Sequence, residues 1–359
     1  MAVAAELRAS GAEVSFLGTR ERIEAELVPA AGYEIDFLRV RGLDRRNPLR
    51  AALGAVEAIG AVGAAAGAIR RRGADVVLGG GGFVAGPAGL AAVLLRRPLV
   101  LTEADSHLGL ANRLLARRAR RVCLAFPIEG REGEPYLLTG RPVPEAMLRA
   151  NRTAARERFG VPAGARCLLV MGGSQGASSI NLAAIEAFAE DRGRGFHVVH
   201  LAGRRDFEEL AGRLAAASHR DGYTLLEYEP DLGDVLAASD LVLARSGGSI
   251  FEVAAAGRPA ILVPYPHATA DHQSANAAWM AEAGAAEVIA DADLNGDLLA
   301  RRVGELFADD ERLAAMAEAS AALALPDAAK RIAAEVIAAA PPRSGALYPS
   351  IEGERRTGR

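Results

Sequence analysis

Short apolar runs recur along the chain, separated by longer stretches rich in Ala, Leu and Arg. The runs at 13–18, 33–39, 74–79, 98–102, 121–125, 166–171, 196–202, 223–227, 240–244, 259–263 and 285–290 predict β-strands, and the stretches between most of them predict helices. Regular alternation of strand and helix implies parallel sheets covered by helices on both faces. A Gly-rich strand-to-helix turn at 171–177 restarts the pattern. The fold class expected is therefore α/β, with two doubly wound, Rossmann-like domains. The boundary falls near Val161-Pro162-Ala163-Gly164, so 1–160 form the N-terminal domain and 161–326 the C-terminal one. The tail at 341–359 is polar and turn-rich, and disorder is expected there.

The pattern is irregular at its start. A doubly wound domain opens with a strand, a glycine turn and a helix. This chain opens inside a helical stretch, MAVAAELRASG, and its first strand is GAEVSFLG. The central first strand and its loop are missing from the pattern, for which a late-assigned start codon is the simplest account. The vacant position is expected between strand 13–18 and strand 74–79. The 51–69 segment carries one charge, Glu57, over nearly the length of a membrane span. It is mostly Ala and Gly, which gain little in hydrocarbon, so a buried or interfacial helix is expected.

Composition narrows the reading modestly. With 359 residues there is room for two domains, and a net charge of −3 does not point to nucleic acid. Cys123 and Cys167 sit in apolar strand-like runs, as buried reduced thiols would. No secretory signal is visible.

The chemistry concentrates between Ser239 and Asn276. A strand runs into the turn Ser246-Gly247-Gly248-Ser249, and a helix opens with Glu252 one turn in. Backbone N–H groups at such a turn attract phosphate, and a carboxylate just beyond can accept hydrogen bonds from ribose hydroxyls. The polar loop from Pro266 to Asn276 adds amide and imidazole groups suited to a sugar. Together these parts predict a sugar-nucleotide site.

That segment, with GGGGFVAGPAGLAA (79–92), LTEADSHLGLANRLL (101–115), TGRPV (139–143) and VMGGSQGASSIN (170–181), resembles the MurG family of N-acetylglucosaminyltransferases over roughly residues 1–338. The resemblance implies the two-domain GT-B architecture, with the site in the cleft between domains. It also implies a last helix, 327–339, that returns to the first domain. The implied reaction is inverting transfer of N-acetylglucosamine from UDP to the 4-hydroxyl of the muramoyl sugar of lipid I, giving lipid II in peptidoglycan synthesis. No cofactor and no metal are implied. The alternatives kept are another UDP-sugar transferase with a lipid acceptor, a non-hydrolysing UDP-sugar epimerase, and a catalytically impaired binding remnant.

Carried over residue by residue, Glu252 would bind the ribose, and Gly247, Gly248 and Ser249 the diphosphate together with Ser174. Glu229 would meet uracil through its backbone. His272 and Gln273 lie where the family reads sugar hydroxyls, and Asn276 would anchor the following helix. Asp105 and Asn112 fall at donor-sugar positions, with Asp105 where the family has asparagine. Arg141 would replace an arginine that the family carries three residues later. Gly80, Gly81 and Gly82 would face the acceptor diphosphate. The family's glycine-rich first loop and its histidine, a candidate general base, have no counterpart here. Asp105 and His107 are the remaining base candidates, and the chain is expected to bind UDP but transfer sugar poorly. A lipid acceptor places the protein peripherally on the cytoplasmic face of the cell membrane. Arg45, Arg46, Arg50, Arg70, Arg71 and Arg72 bracket the apolar 51–69 segment, and Arg113, Arg117, Arg118, Arg120 and Arg121 form a second basic cluster. Both would face anionic lipids of the inner leaflet.

Overall fold

The computed structural model describes residues 1–40, 48–172, 177–189, 195–217, 221–268 and 271–341. Its strands are β1 (Ser15–Gly18), β2 (Glu34–Phe37), β3 (Val77–Gly79), β4 (Leu99–Glu103), β5 (Arg121–Leu124), β6 (Tyr136–Leu138), β7 (Arg166–Met171), β8 (Phe196–Leu201), β9 (Tyr223–Leu226), β10 (Leu241–Ala244), β11 (Ala260–Leu262) and β12 (Ala286–Val288). Each apolar run holds one strand. Only β6 escaped the hydrophobic pattern. It has three residues, lies at a sheet edge and follows the turn-rich GREGEP, so neither length nor alternation marks it.

The second domain is one parallel sheet in the order β12-β11-β10-β7-β8-β9. Counted from β7, this is the doubly wound order in which strand direction of travel reverses between the first and fourth strands, here β7 and β10. Loops leaving their carboxyl ends diverge and open a crevice. Ile180, Leu168, Leu241 and Leu243 fill one face of this sheet, and Leu169, Val242, Val253 and Met280 the other. Burial on both faces explains why β7 and β10 read as continuous apolar runs.

The first domain follows the same plan with one position vacant. β1 pairs only with β2, and β3 heads a separate sheet ordered β3-β4-β5-β6. By the order seen in the second domain, a strand equivalent to β7 belongs between β1 and β3. In its place lies a cavity of about 950 Å³, lined by Phe16 and Leu17 on one side and Val77, Leu78 and Gly79 on the other.

Three contacts set how the domains meet. The last helix, Ala328–Ala339, packs Ile332, Ala333 and Val336 on Leu7, Val100 and Cys123 of the first domain, and Glu335 accepts from Arg121 Nε at 2.8 Å. The chain passes between domains at Gly140, whose φ of +81° suits glycine; a β-carbon there would lie 2.6 Å from Leu325. Phe126, beyond β5, packs edge-on against Phe251 and Trp279 of the second domain, with centroids 4.6 and 5.1 Å away. These rings brace the helix that carries Glu252. Both thiols are buried, and burial pushes each up to about 12, so neither is poised to react.

Among the described residues two imidazoles of the second domain are buried, His197 and His200, the latter fully. His200 Nδ1 meets Tyr223 Oη at 2.7 Å, and its Nε2 meets Asn181 Oδ1 at 3.0 Å. An amide oxygen only accepts, so Nε2 carries the proton and Tyr223 donates to Nδ1. Burial pushes the His200 pKa down to about 3. The unfolded chain therefore takes up a proton near 6.5 that the folded one refuses, and the stabilisation present above that pH is lost as pH falls. Urea midpoints should correspond to a loss of about 2 kcal/mol between pH 7.5 and 5, largely absent in His200→Gln. Equal pH dependence in the two proteins would show that His200 is not the source.

Candidate functional site

The crevice at the switch point between β7 and β10 encloses about 910 Å³. Its walls are the linker residues Arg141 to Val143, the start of the helix Ser178–Phe188, the turn Gly247–Ser249 with Phe251 and Glu252, and the Tyr265–His267 segment with Gln273. Arg205, Arg245 and Asp291 complete it. Of the residues picked from the sequence, the crevice gathers Arg141, Gly247, Gly248, Ser249, Glu252 and Gln273.

Gly248 and Arg141 define its phosphate-like end. A β-carbon on Gly248 would lie 2.5 Å from Arg141 Nη1, so any side chain there must displace the guanidinium. The cation thus stands directly over the glycine turn, where backbone N–H groups also favour an anion. Glu252 lies within Arg141's field. Burial raises its pKa, and the nearby Arg141 charge partly offsets that rise.

Side-chain bonds hold the turn in place. Ser246 Oγ donates to the Gln273 carbonyl at 2.7 Å, and Asn276 Nδ2 donates to the Ser246 carbonyl at 2.9 Å. Asn276, fully inside the helix His272–Glu282, therefore fastens that helix to the glycine turn. Gln273 Oε1 accepts the Tyr265 N–H at 3.0 Å.

Other sequence-picked residues lie elsewhere. Ser174 falls outside the described residues, as do Arg45 and Arg46, and the Arg50 side chain is not among those described. The Glu229 side chain is buried and turned to Arg158 at 2.7 Å, away from the crevice lining. His272 opens its helix without lining the crevice. Gly80 and Gly81 line the cavity between β1 and β3, and Gly82 starts the helix that runs to Leu94.

Asn112 is neither on a helix surface nor on the crevice wall. It is buried, and Nδ2 donates to the Thr102 carbonyl and to Glu103 Oε2, both at 2.9 Å. Glu103, which the motif reading passed over, is the organiser of this loop. Its carboxylate also accepts from the N–H groups of Ala104, Asp105 and Gly109. A buried carboxylate with four such donors sets the path of the loop that carries Asp105 and His107. Neither of those two lines the crevice.

Sequence reasoning also missed Arg205, Arg245, His267 and Asp291. One signal was available: each follows closely on the carboxyl end of a predicted strand, where doubly wound folds build their sites.

Comparison with known proteins identifies a glycosyltransferase family. The model of the glycosyltransferase family 28 N-terminal domain matches residues 1–124, and that of the family 28 C-terminal domain matches 167–332. A UDP-N-acetylglucosamine--N-acetylmuramyl-(pentapeptide) pyrophosphoryl-undecaprenol N-acetylglucosamine transferase from Halorhodospira halophila is 40% identical over 334 residues, covering 93% of this chain and 92% of its own. The transferase of the same name from Moorella thermoacetica is 39% identical, covering 90% and 89%. The crystal structure of Acinetobacter baumannii MurG superposes with a TM-score of 0.77 at 27% identity, covering 94% of both chains.

Proposed function

The chain belongs to the MurG family of family 28 glycosyltransferases, and on that premise we propose that it transfers N-acetylglucosamine from UDP-N-acetylglucosamine to the muramoyl 4-hydroxyl of lipid I. The observation that carries this is the crevice itself. Arg141, Gly248, Glu252 and Gln273 bring a cation, a glycine turn, a carboxylate and an amide to one crevice, the groups that diphosphate, ribose and sugar call for. Arg141 and the turn would stabilise the charge that develops on departing UDP. Glu252 would accept from the ribose hydroxyls, and Gln273 would donate to the sugar. Holding donor and acceptor in line supplies much of the rate in such a reaction.

The acceptor side fits a membrane lipid. Three adjoining helices of the first domain, Pro48–Arg71, Gly82–Leu94 and Leu110–Leu115, leave Ile59, Phe83, Leu90, Leu94 and Leu114 exposed. Arg70, Arg71, Arg113, Arg117 and Arg118 lie on or beside the same elements. Apolar tips rimmed by arginine suit shallow insertion among anionic headgroups. Such a face supports peripheral attachment on the cytoplasmic side of the membrane; no described helix is long and apolar enough to cross one.

UDP release from UDP-N-acetylglucosamine should depend on added lipid I and yield a product carrying both sugars. Consumption of the donor at the same rate without lipid would overturn the assignment and indicate epimerisation or hydrolysis. Binding to vesicles containing anionic lipid should weaken steeply with salt, whereas equal binding to neutral vesicles would remove the basic rim from the account.

A further inference from the structure

Arg245 stands one residue beyond β10, on the floor of the crevice, with its side chain 12% exposed. Its guanidinium reaches several separate pieces of chain. Nη1 donates to the carbonyls of Val263 at 3.1 Å and Pro264 at 3.2 Å, and pairs with Asp291 at 2.6 Å. Nη2 donates to Ser179 Oγ at 2.8 Å, and Ser179 donates to Asp291 Oδ1 at 2.6 Å. Three side chains thus close a ring that joins the ends of β10, β11 and β12 to the first turn of the helix Ser178–Phe188.

The ring is balanced in charge. Burial raises the Asp291 pKa, but Ser179, Arg245 and nearby His267 outweigh that and hold the carboxyl below its ordinary range. The pair therefore stays ionised at neutral pH. With both terminal nitrogens engaged by protein acceptors, this arginine fits a positioning role better than a phosphate contact.

What the ring holds is the backbone just before Tyr265. The Tyr265 N–H donates to Gln273 Oε1, and that bond assigns the amide. Nε2 is then the atom turned to the glycine turn, 3.9 Å from where a β-carbon on Gly247 would lie. Arg245 fixes the Pro264 carbonyl, the other side of that same planar peptide presents the Tyr265 N–H, and that N–H sets which face of the Gln273 amide is turned to the crevice.

We propose that Arg245, with Asp291 and Ser179, is a positioning unit that orients the Gln273 amide and so determines how far the crevice prefers a sugar-bearing UDP over UDP alone. This rests on the reading that Gln273 meets the donor sugar.

Calorimetric titration of the full chain with UDP and with UDP-N-acetylglucosamine tests it, using wild type, Arg245→Lys, Gln273→Ala and the double variant. Lysine keeps the charge but cannot fork across two carbonyls and a hydroxyl. Arg245→Lys should leave the Kd for UDP within about twofold and weaken UDP-N-acetylglucosamine about tenfold, the effect of one well-placed hydrogen bond. The double variant should bind no more weakly than Gln273→Ala, because the two residues act in series. Equal losses for both ligands, or losses that multiply in the double variant, would overturn the proposal. If Arg245→Lys does not fold, Ser179→Ala carries the test. It should show the same pattern at about threefold, and an unchanged sugar preference would count equally against the proposal. Should Gln273→Ala itself leave UDP-N-acetylglucosamine binding unchanged, the sugar reading of the crevice fails. Should Gln273→Ala weaken it while Arg245→Lys does not, only the positioning role fails.

Discussion

Glu252→Ala should weaken UDP binding by about 1–3 kcal/mol, roughly 5- to 150-fold in Kd. The carboxylate sits one turn beyond the glycine turn, within the field of Arg141, and lines the crevice. Losing a charged acceptor from a partly buried site would remove the bonds proposed to the ribose and leave the Arg141 charge less compensated. Glu252→Gln separates this role from a structural one. Burial raises the Glu252 pKa from the ordinary 4.5, with Arg141 opposing. The folded protein thus holds a proton that the unfolded chain has released, and its stability falls as pH rises from 4.5 through the raised value. At neutral pH the empty Gln variant should melt higher than wild type while binding UDP less well. Unchanged calorimetric affinity in the Ala variant would remove the ribose assignment. A Gln variant that melts lower would show that the carboxylate is structural.

The largest loss of stability is expected at Asp240, outside the crevice. Asp240 Oδ1 pairs with Arg152 at 2.6 Å, while Oδ2 accepts from Cys167 N at 2.8 Å and from Arg156 at 3.4 Å. Arg152 and Arg156 lie in the helix Arg152–Arg158, which leads from the linker into β7, and both also bond carbonyls at the end of the helix Leu232–Ala238. Arg258 lies close by, with burial pushing its pKa down. Asp240 is the counter-charge for this group of arginines, and its side chain is only 12% exposed. Asp240→Ala should destabilise the second domain by about 3–5 kcal/mol, because it leaves buried positive charge unpaired. That corresponds to a fall of about 10 °C in the thermal midpoint. Asp240→Asn, which keeps an acceptor for the Cys167 N–H, should cost less. If Ala and Asn variants both melt within a degree or two of wild type, the arginines find other partners and the account is wrong.

The two variants test different levels of the molecule. The place of Glu252 in the crevice was legible because it depends on local order: strand, glycine turn, helix, acid. Asp240 was not, since its partners come from three segments that only the folded sheet brings together.

The same division runs through the whole chain. Periodicity along the sequence located eleven strands, because strands buried on both faces must be apolar throughout, and that requirement is written in consecutive residues. It located the crevice as well, since glycine turns at strand ends are local features. The restart at 171–177 marked the second sheet, and the irregular opening of the pattern matches the separation of β1 and β3 into different sheets. What consecutive residues do not encode is which side chains from distant segments converge. Asn112 reads like a polar helix residue, yet folding buries it against Glu103. Glu229 turns to Arg158, and Arg141 comes to rest over Gly248. Arg245, Ser179 and Asp291 form a ring from residues spread over 112 positions of the chain. Hydrogen bonds and ion pairs act over a few ångströms, so their partners are decided by strand order and helix packing. Apolar patterning and turn chemistry act along the chain, and these alone the sequence determined by itself.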